Sequence, residues 1–192
     1  MEKHRCSWVN ENNDGYVKYH DEEWGRPLYE DQKLYELLML ECFQAGLSWE
    51  CVLNKREHFR EAFDGFEPEI VAAYGAEKLE ALLLDPGIIR NRRKILAVIN
   101  NSRVFLEIQQ EKGSFSAYLW AFSGGKRFRE PFTERTTSPL AETISRDLKK
   151  RGMTFVGPVT VYAYLQAMGM IDAHSEDCFC YDRDKGGECN GQ

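Results

Sequence analysis

Apolar residues along this chain recur mostly at helical spacing. In 31–45, Leu34, Leu37, Leu38, Glu41 and Ala45 fall on one stripe, with a carboxylate among Leu and Ala. In 91–112, Ile95, Val98, Ile99, Phe105 and Leu106 repeat along one face, with charges opposite. Ser138-Pro139 reads as an N-cap and first-turn proline for a helix running to Arg151, which Gly152 would end. Gly157-Pro158 opens another helix through Met168. Shorter helices are predicted over 50–63, 67–74 and 76–84, separated by Asp64-Gly65, Gly75 and Asp85-Pro86-Gly87. No stretch alternates apolar and polar residues between hairpin turns, so no sheet is expected. The predicted architecture is all-α, with one domain over 1–182. Its least regular stretch is 123–138, and a frayed tail is expected over 183–192.

Composition changes this picture little. A chain of 192 residues with 43% hydrophobic and 29% charged residues can bury a core without staples. The apolar run around 37–40 is far too short to cross a bilayer, and the opening Met1–Arg5 leads into no apolar targeting segment. A cytoplasmic protein without a membrane partner is expected. Six cysteines without small-secreted spacing read as reduced thiols, with metal binding open.

Charge changes more. The net charge of −6 argues against a polyanionic partner. Yet residues 86–151 hold 14 Lys and Arg against 6 Asp and Glu, while the remainder holds 11 against 25. A basic middle of +8 therefore sits inside an acidic protein.

Several features could carry chemistry. Glu41 on an apolar stripe either reaches water or an arginine at the stripe's edge, or lines a ligand pocket with a raised pKa. Downstream, Gln44-Ala45-Gly46-Leu47-Ser48-Trp49 allows Gly46 to end one helix and Ser48 to cap the next. Trp49 then stands at a helix-to-helix corner, as core filler or as a stacking surface. Trp8, Tyr16, Tyr19, His20, Asp21, Glu22, Glu23 and Trp24 form an aromatic and acidic cluster. It suits a flat, cationic ring, or packs the N-terminal segment onto the body.

His174 and Cys178 place two donors one helical turn apart. Cys6 and His20 are natural partners, giving a closed set for structural Zn²⁺ that clips both chain ends together. His4, Cys180 and Cys189 are rival ligands. The stretch 149–158 places Lys150 and Arg151 at a helix end, then a turn bounded by Gly152 and Gly157, then a fresh helix N-terminus. Such a turn can hold a phosphate through exposed amides, or be a plain helical hairpin with cations at a C-terminal dipole. The turn at 85–87 has its own basic sequel in Arg90, Arg92, Arg93 and Lys94. Two basic turns in or beside the +8 segment favour a phosphate-binding face.

Together these residues resemble the DNA-3-methyladenine glycosylase I family over most of the chain. The matching blocks are Cys6-Ser-Trp8, Tyr19-His20-Asp-Glu-Glu-Trp24-Gly25, Glu41-Cys-Phe-Gln-Ala-Gly-Leu-Ser-Trp49, Lys55-Arg56-Glu57, Gly87-Ile-Ile-Arg-Asn-Arg92, Leu148-Lys-Lys-Arg-Gly152 and Phe155-Val-Gly157, with His174 and Cys178 in order. The resemblance implies a helix–hairpin–helix fold, the hairpin unit over about 143–169. It implies a monofunctional base-excision hydrolase that flips 3-methyladenine out of alkylated duplex DNA and cleaves its N-glycosidic bond. Glu41 would be the catalytic carboxylate, and Tyr19, Trp49, Trp8 and Trp24 would bind the base. Arg90, Arg92, Lys150, Arg151, Gly152 and Gly157 would meet the DNA backbone. One structural zinc would sit on Cys6, His20, His174 and Cys178.

One departure stands out: the family usually reads Val-Asn-Asp-His where this chain has Ile171-Asp172-Ala173-His174. Asp172 is expected to cap a ligand-bearing helix, the alternative being an acid near the sugar. A monomer is expected. Rival functions are a glycosylase for other alkylated purines, such as 3-methylguanine, and a catalytically silent DNA-binding module.

Overall fold

A computed structural model describes residues 3–130 and 135–181. Among them are ten α-helices, one 3-10 turn (Asp64–Phe66) and two strands of two residues each. The expected tail at 183–192 and part of the irregular stretch at 123–138 lie outside the described residues.

At the centre is α2 (Asp31–Gln44), where the expected single stripe is corrected. Every residue from Leu34 to Phe43 is buried, because neighbours cover the helix on all sides, whereas Ala45 lies at its half-exposed end. Helix α7 (Arg92–Lys112) begins at Asn91, whose side chain accepts from the Arg93 and Lys94 amides, and ends at Gly113. It packs on α5 (Pro68–Ala72), α6 (Ala76–Leu84), α8 (Phe115–Ala121) and α2. Aromatic contacts such as Phe43–Phe59 and Phe105–Phe115 fill the space between helices, each buried ring contributing roughly 1.5–3 kcal/mol.

Helices α9 (Pro139–Lys150) and α10 (Pro158–Ala167) pack against each other across the turn at 151–157. Ser138 caps α9 by accepting from the Ala141 amide. At its other end the Gly152 amide donates to Lys149 O and the Met153 amide to Leu148 O, closing a Schellman motif. Gly152 has φ +103, a region in which a side chain is strained.

Two expectations need correction. The helix over 50–63 is two helices, α3 (Trp49–Leu53) and α4 (Arg56–Ala62), broken at Asn54-Lys55. Of the N-terminal aromatic and acidic cluster, Tyr16, Tyr19, His20, Asp21 and Glu22 lie on α1 (Asp14–Glu22), which Asn13 caps, with Trp8 before it and Glu23 and Trp24 after it. A short parallel pair joins Phe128–Arg129 to Ile171–Asp172, so the fold is mostly helical with one small sheet. That pair carries the chain past Asp172 to His174.

Candidate functional site: an aromatic pocket beside a histidine and cysteine cluster

Three elements bring the expected pocket residues together. Tyr19 comes from α1, Glu41 and Gln44 from α2, and Trp49 from the first residue of α3. With Trp8, Tyr16 and Trp24 they line a cavity of about 170 Å³, closed by Ala163 and Gln166 of α10. Tyr19 and Trp49 face each other with ring centroids 5.3 Å apart, and Trp8 lies edge-on to Trp24 at 4.8 Å.

The carboxyl of Glu41 is the chemical oddity. The residue is 3% exposed, and its Oε2 is buried without a hydrogen-bond partner. Desolvation pushes its pKa up to about 8. Among the described residues no arginine answers it, and at 3% exposure it does not reach water, which argues against the edge-of-stripe reading. The indole N–H groups of Trp8 and Trp49 are also buried and unpartnered. Burial, and then the nearby Glu41 carboxyl, hold the Tyr19 phenol far above its ordinary range. Leaving such groups unpaired costs about 1–3 kcal/mol each, which a ligand with matching polar edges recovers.

A larger cleft, about 400 Å³, shares Tyr19 as a wall. Its charges already pair with one another: Arg56 Nε donates to Glu36 Oε1 at 2.6 Å, and Arg60 Nη2 lies 2.8 Å from the same oxygen. The smaller cavity, with its unanswered carboxyl, is the better candidate for a base.

Behind the aromatic wall lies a second group. The donor atoms of His20, His174, Cys178 and Cys180 fall within 4.8 Å of one another, all buried. His20 Nδ1 lies 2.9 Å from Asp21 Oδ1, and His174 Nδ1 lies 2.8 Å from Asp172 Oδ1. Both carboxylates have depressed pKa values, so they are ionised acceptors and each Nδ1 carries the proton. Each imidazole therefore aims an Nε2 lone pair into the cluster. His174 Nε2 has no hydrogen-bond partner among the described residues, as expected of a metal-directed donor with an outer carboxylate. The thiols are not in disulfides. The donor set fits a metal ion.

Cys6 sits at the rim: its Sγ accepts from Ser175 Oγ at 3.7 Å, and it interacts with Cys178. Three of the four expected ligands thus fall in the tight set, with Cys180 as its fourth member and Cys6 adjacent. The backbone approaches closely at Gly25, φ +74, where a Cβ would stand 2.6 Å from His174 Cε1.

Two details differ from expectation. Residues 173–175 are not helical, so Asp172 caps no helix. Its Oδ1 accepts from the His174 amide, and its Oδ2 accepts from Arg129 Nη2 at 2.8 Å. It holds His174 in place, and it does not line the aromatic cavity.

On the basic surface, Arg90, Arg92 and Lys150 are exposed, Arg92 sharing an exposed ion pair with Glu80. Arg151 is half-buried and already engaged within the protein. It donates to Asp147 and Glu111, and its guanidinium lies over the Tyr118 ring. The Gly152–Gly157 turn is gripped from α7: Asn100 donates to Gly152 O, and Asn101 exchanges two hydrogen bonds with the Thr154 peptide.

The family model for methyladenine glycosylase matches residues 8–181. The chain belongs to the methyladenine glycosylase family. A DNA-3-methyladenine glycosylase of Haemophilus influenzae is 40% identical over 180 residues, covering 92% of this chain and 97% of that one. DNA-3-methyladenine glycosylase 1 of Escherichia coli is also 40% identical, covering 94% and 98%. Among solved structures, a crystal structure of 3-methyladenine DNA glycosylase I matches with TM-score 0.89 and 41% identity, covering 93% of this chain and 100% of that chain. A Staphylococcus aureus enzyme, described for its recognition of 3-methyladenine, matches with TM-score 0.86 and 40% identity, covering 91% and 94%.

Sequence reasoning missed the α10 side of the pocket. Gln166 is a lone amide near the end of an otherwise apolar helix, the one local signal available. It also passed over Leu47, which is 41% exposed at the corner between Gln44 and Trp49.

Proposed function

We propose that this chain is a DNA repair glycosylase that hydrolyses the N-glycosidic bond of 3-methyladenine in alkylated duplex DNA, starting base-excision repair. The observation that carries the reading is the unpartnered carboxyl oxygen of Glu41 inside a cavity walled by Trp49, Tyr19, Trp8 and Trp24. Methylation at N3 makes the adenine in DNA cationic. A cationic aromatic ring gains from stacking on Trp49 and from an adjacent carboxylate. Normal adenine offers no positive charge to offset the cost of ionising Glu41.

The methylated base is also the better leaving group, so the bond is already weak. The protein's work is to expose the base, orient it and admit water. Flipping costs a few kcal/mol and less where pairing is weakened, which adds selectivity. Glu41 and Tyr19 contact the base edge, while exposed Leu47 is placed to fill the gap that the base leaves. Arg90, Arg92 and Lys150, with the Gly152–Gly157 turn, hold the phosphates without reading sequence.

His20, His174 and Cys178, with Cys6 or Cys180, would hold a structural Zn²⁺, which would tie the two chain ends behind Trp8 and Trp24. The protein acts as a monomer in the cytoplasm. Release of 3-methyladenine from alkylated duplex tests the reading. Quenching of tryptophan fluorescence by free 3-methyladenine separates it from a silent DNA-binding module, which would show none.

A further inference from the structure

Helix α7 breaks a local rule. Its first turn holds Arg92, Arg93 and Lys94 and no acid, against the positive end of the helix dipole. Such conflicts mark positions held for another purpose. Arg92 and Arg93 point outward, consistent with an anionic partner. Lys94 does not: it is 5% exposed, with its ammonium folded into the protein.

Its target is the end of α2. Lys94 Nζ donates to Phe43 O at 2.7 Å and to Ala45 O at 2.6 Å. Helix α2 has no basic residue in its own last turn, so this ammonium supplies the cation that its negative end lacks. The chain then reverses at once. Ala45 leaves helical geometry, Gly46 has φ +81, the Leu47 amide donates to Gln44 O at 2.6 Å, and Ser48 caps α3. The pinned carbonyls flank Gln44, and the corner they hold presents Leu47 and Trp49.

The geometry points to Lys94 as a positioning residue for base recognition: it fixes the Gln44–Trp49 corner against α7. The inference rests on the glycosylase reading above. It also gives that reading a mechanical link, since the exposed Arg92 and Arg93 share the first turn of α7 with Lys94, and the exposed Arg90 directly precedes its cap. A phosphate held there and the ring stacked on Trp49 share one short, buried connection.

The experiment compares the wild type with Lys94→Met, which removes both donors, and Lys94→Gln, which retains a shorter one. Each folded protein is assayed for single-turnover release of 3-methyladenine, for quenching by free 3-methyladenine, and for affinity to undamaged duplex. A misplaced stacking surface costs on the order of 100-fold in rate. Lys94→Met is expected to lose roughly that much, with weakened quenching and duplex affinity within about twofold of wild type. Lys94→Gln is expected between the two. Loss of stability alone would not separate base binding from duplex binding. If Lys94→Met does not fold, Lys94→Gln decides by the same split. Wild-type release rates and quenching in whichever variant folds would overturn the inference. No release from the wild type would instead overturn the glycosylase reading, and quenching by the free base would still report on the corner.

Discussion

The Trp24 ring stands edge-on to the His174 imidazole, with centroids 4.6 Å apart and planes at 75°. Trp24 also lines the aromatic cavity, as does Trp8, whose ring stands edge-on to His20, so two indoles separate the base pocket from the donor cluster. Whatever fixes His174 fixes that wall. The cluster is therefore expected to act on base recognition through packing, at a distance from the chemistry.

Metal removal should loosen both. The purified protein is expected to carry one zinc per chain by elemental analysis. A strong chelator should lower Tm by roughly 6–12 °C, the equivalent of about 3 kcal/mol in a chain of this size. Gly25→Ala, which drives a methyl into His174, should mimic the chelated protein. An unchanged Tm after complete metal removal would contradict the role given to the cluster.

Glu41 should make stability depend on pH. Its pKa is raised from the ordinary carboxylate range to about 8, so the folded state holds a proton that the unfolded state has lost across that interval. Its stabilising contribution is therefore complete at low pH and falls as pH rises through about 8. Relative to wild type, Glu41→Gln should gain stability between pH 5 and pH 8, by up to about 4 kcal/mol. Urea denaturation of both proteins at the two pH values checks this. A pH-independent difference would show that Glu41 is not a buried, unanswered carboxyl.

Trp49 should matter to the base more than to the DNA. Trp49→Ala is expected to weaken free-base binding by about 1–3 kcal/mol, roughly 5- to 150-fold, the range for stacking on an aromatic side chain. Undamaged duplex affinity, measured in parallel, should change little.

Lys150 and Arg151 are neighbours with different work. Lys150→Ala should reduce the slope of log affinity against log salt by about 1, as for one lost phosphate contact. Arg151 spends its guanidinium on Asp147, Glu111 and Tyr118, so Arg151→Ala should chiefly lower Tm. A larger change of salt slope in Arg151→Ala than in Lys150→Ala would reverse the assignment.

How legible these features were depended on how local their signals are. Helices α7 and α9 carry periodic faces, α10 is mostly apolar all round, and Asn91, Ser138 and Gly157-Pro158 mark their starts, so all three fall close to expectation. Helix α8 is only seven residues long, too short for periodicity to stand out. The break at Asn54-Lys55 has neither Gly nor Pro to mark it. Glu41 was visible because it interrupts an apolar stripe. Gln166 and Ala163 reach the pocket only through the packing of α10 on α2, and the lone amide of Gln166 is the one local sign of it. Lys94 looked like one more cation in a basic run, because the carbonyls it serves are some 50 residues away. Cys180 entered the donor cluster through the turn after His174, which the expected helix would not have produced.

The most direct test is chromatography of the free bases released when the protein acts on alkylated duplex DNA. The wild type is expected to release 3-methyladenine, and Trp49→Ala to release it at least tenfold more slowly. A wild-type protein that binds the duplex yet releases no 3-methyladenine would contradict the account.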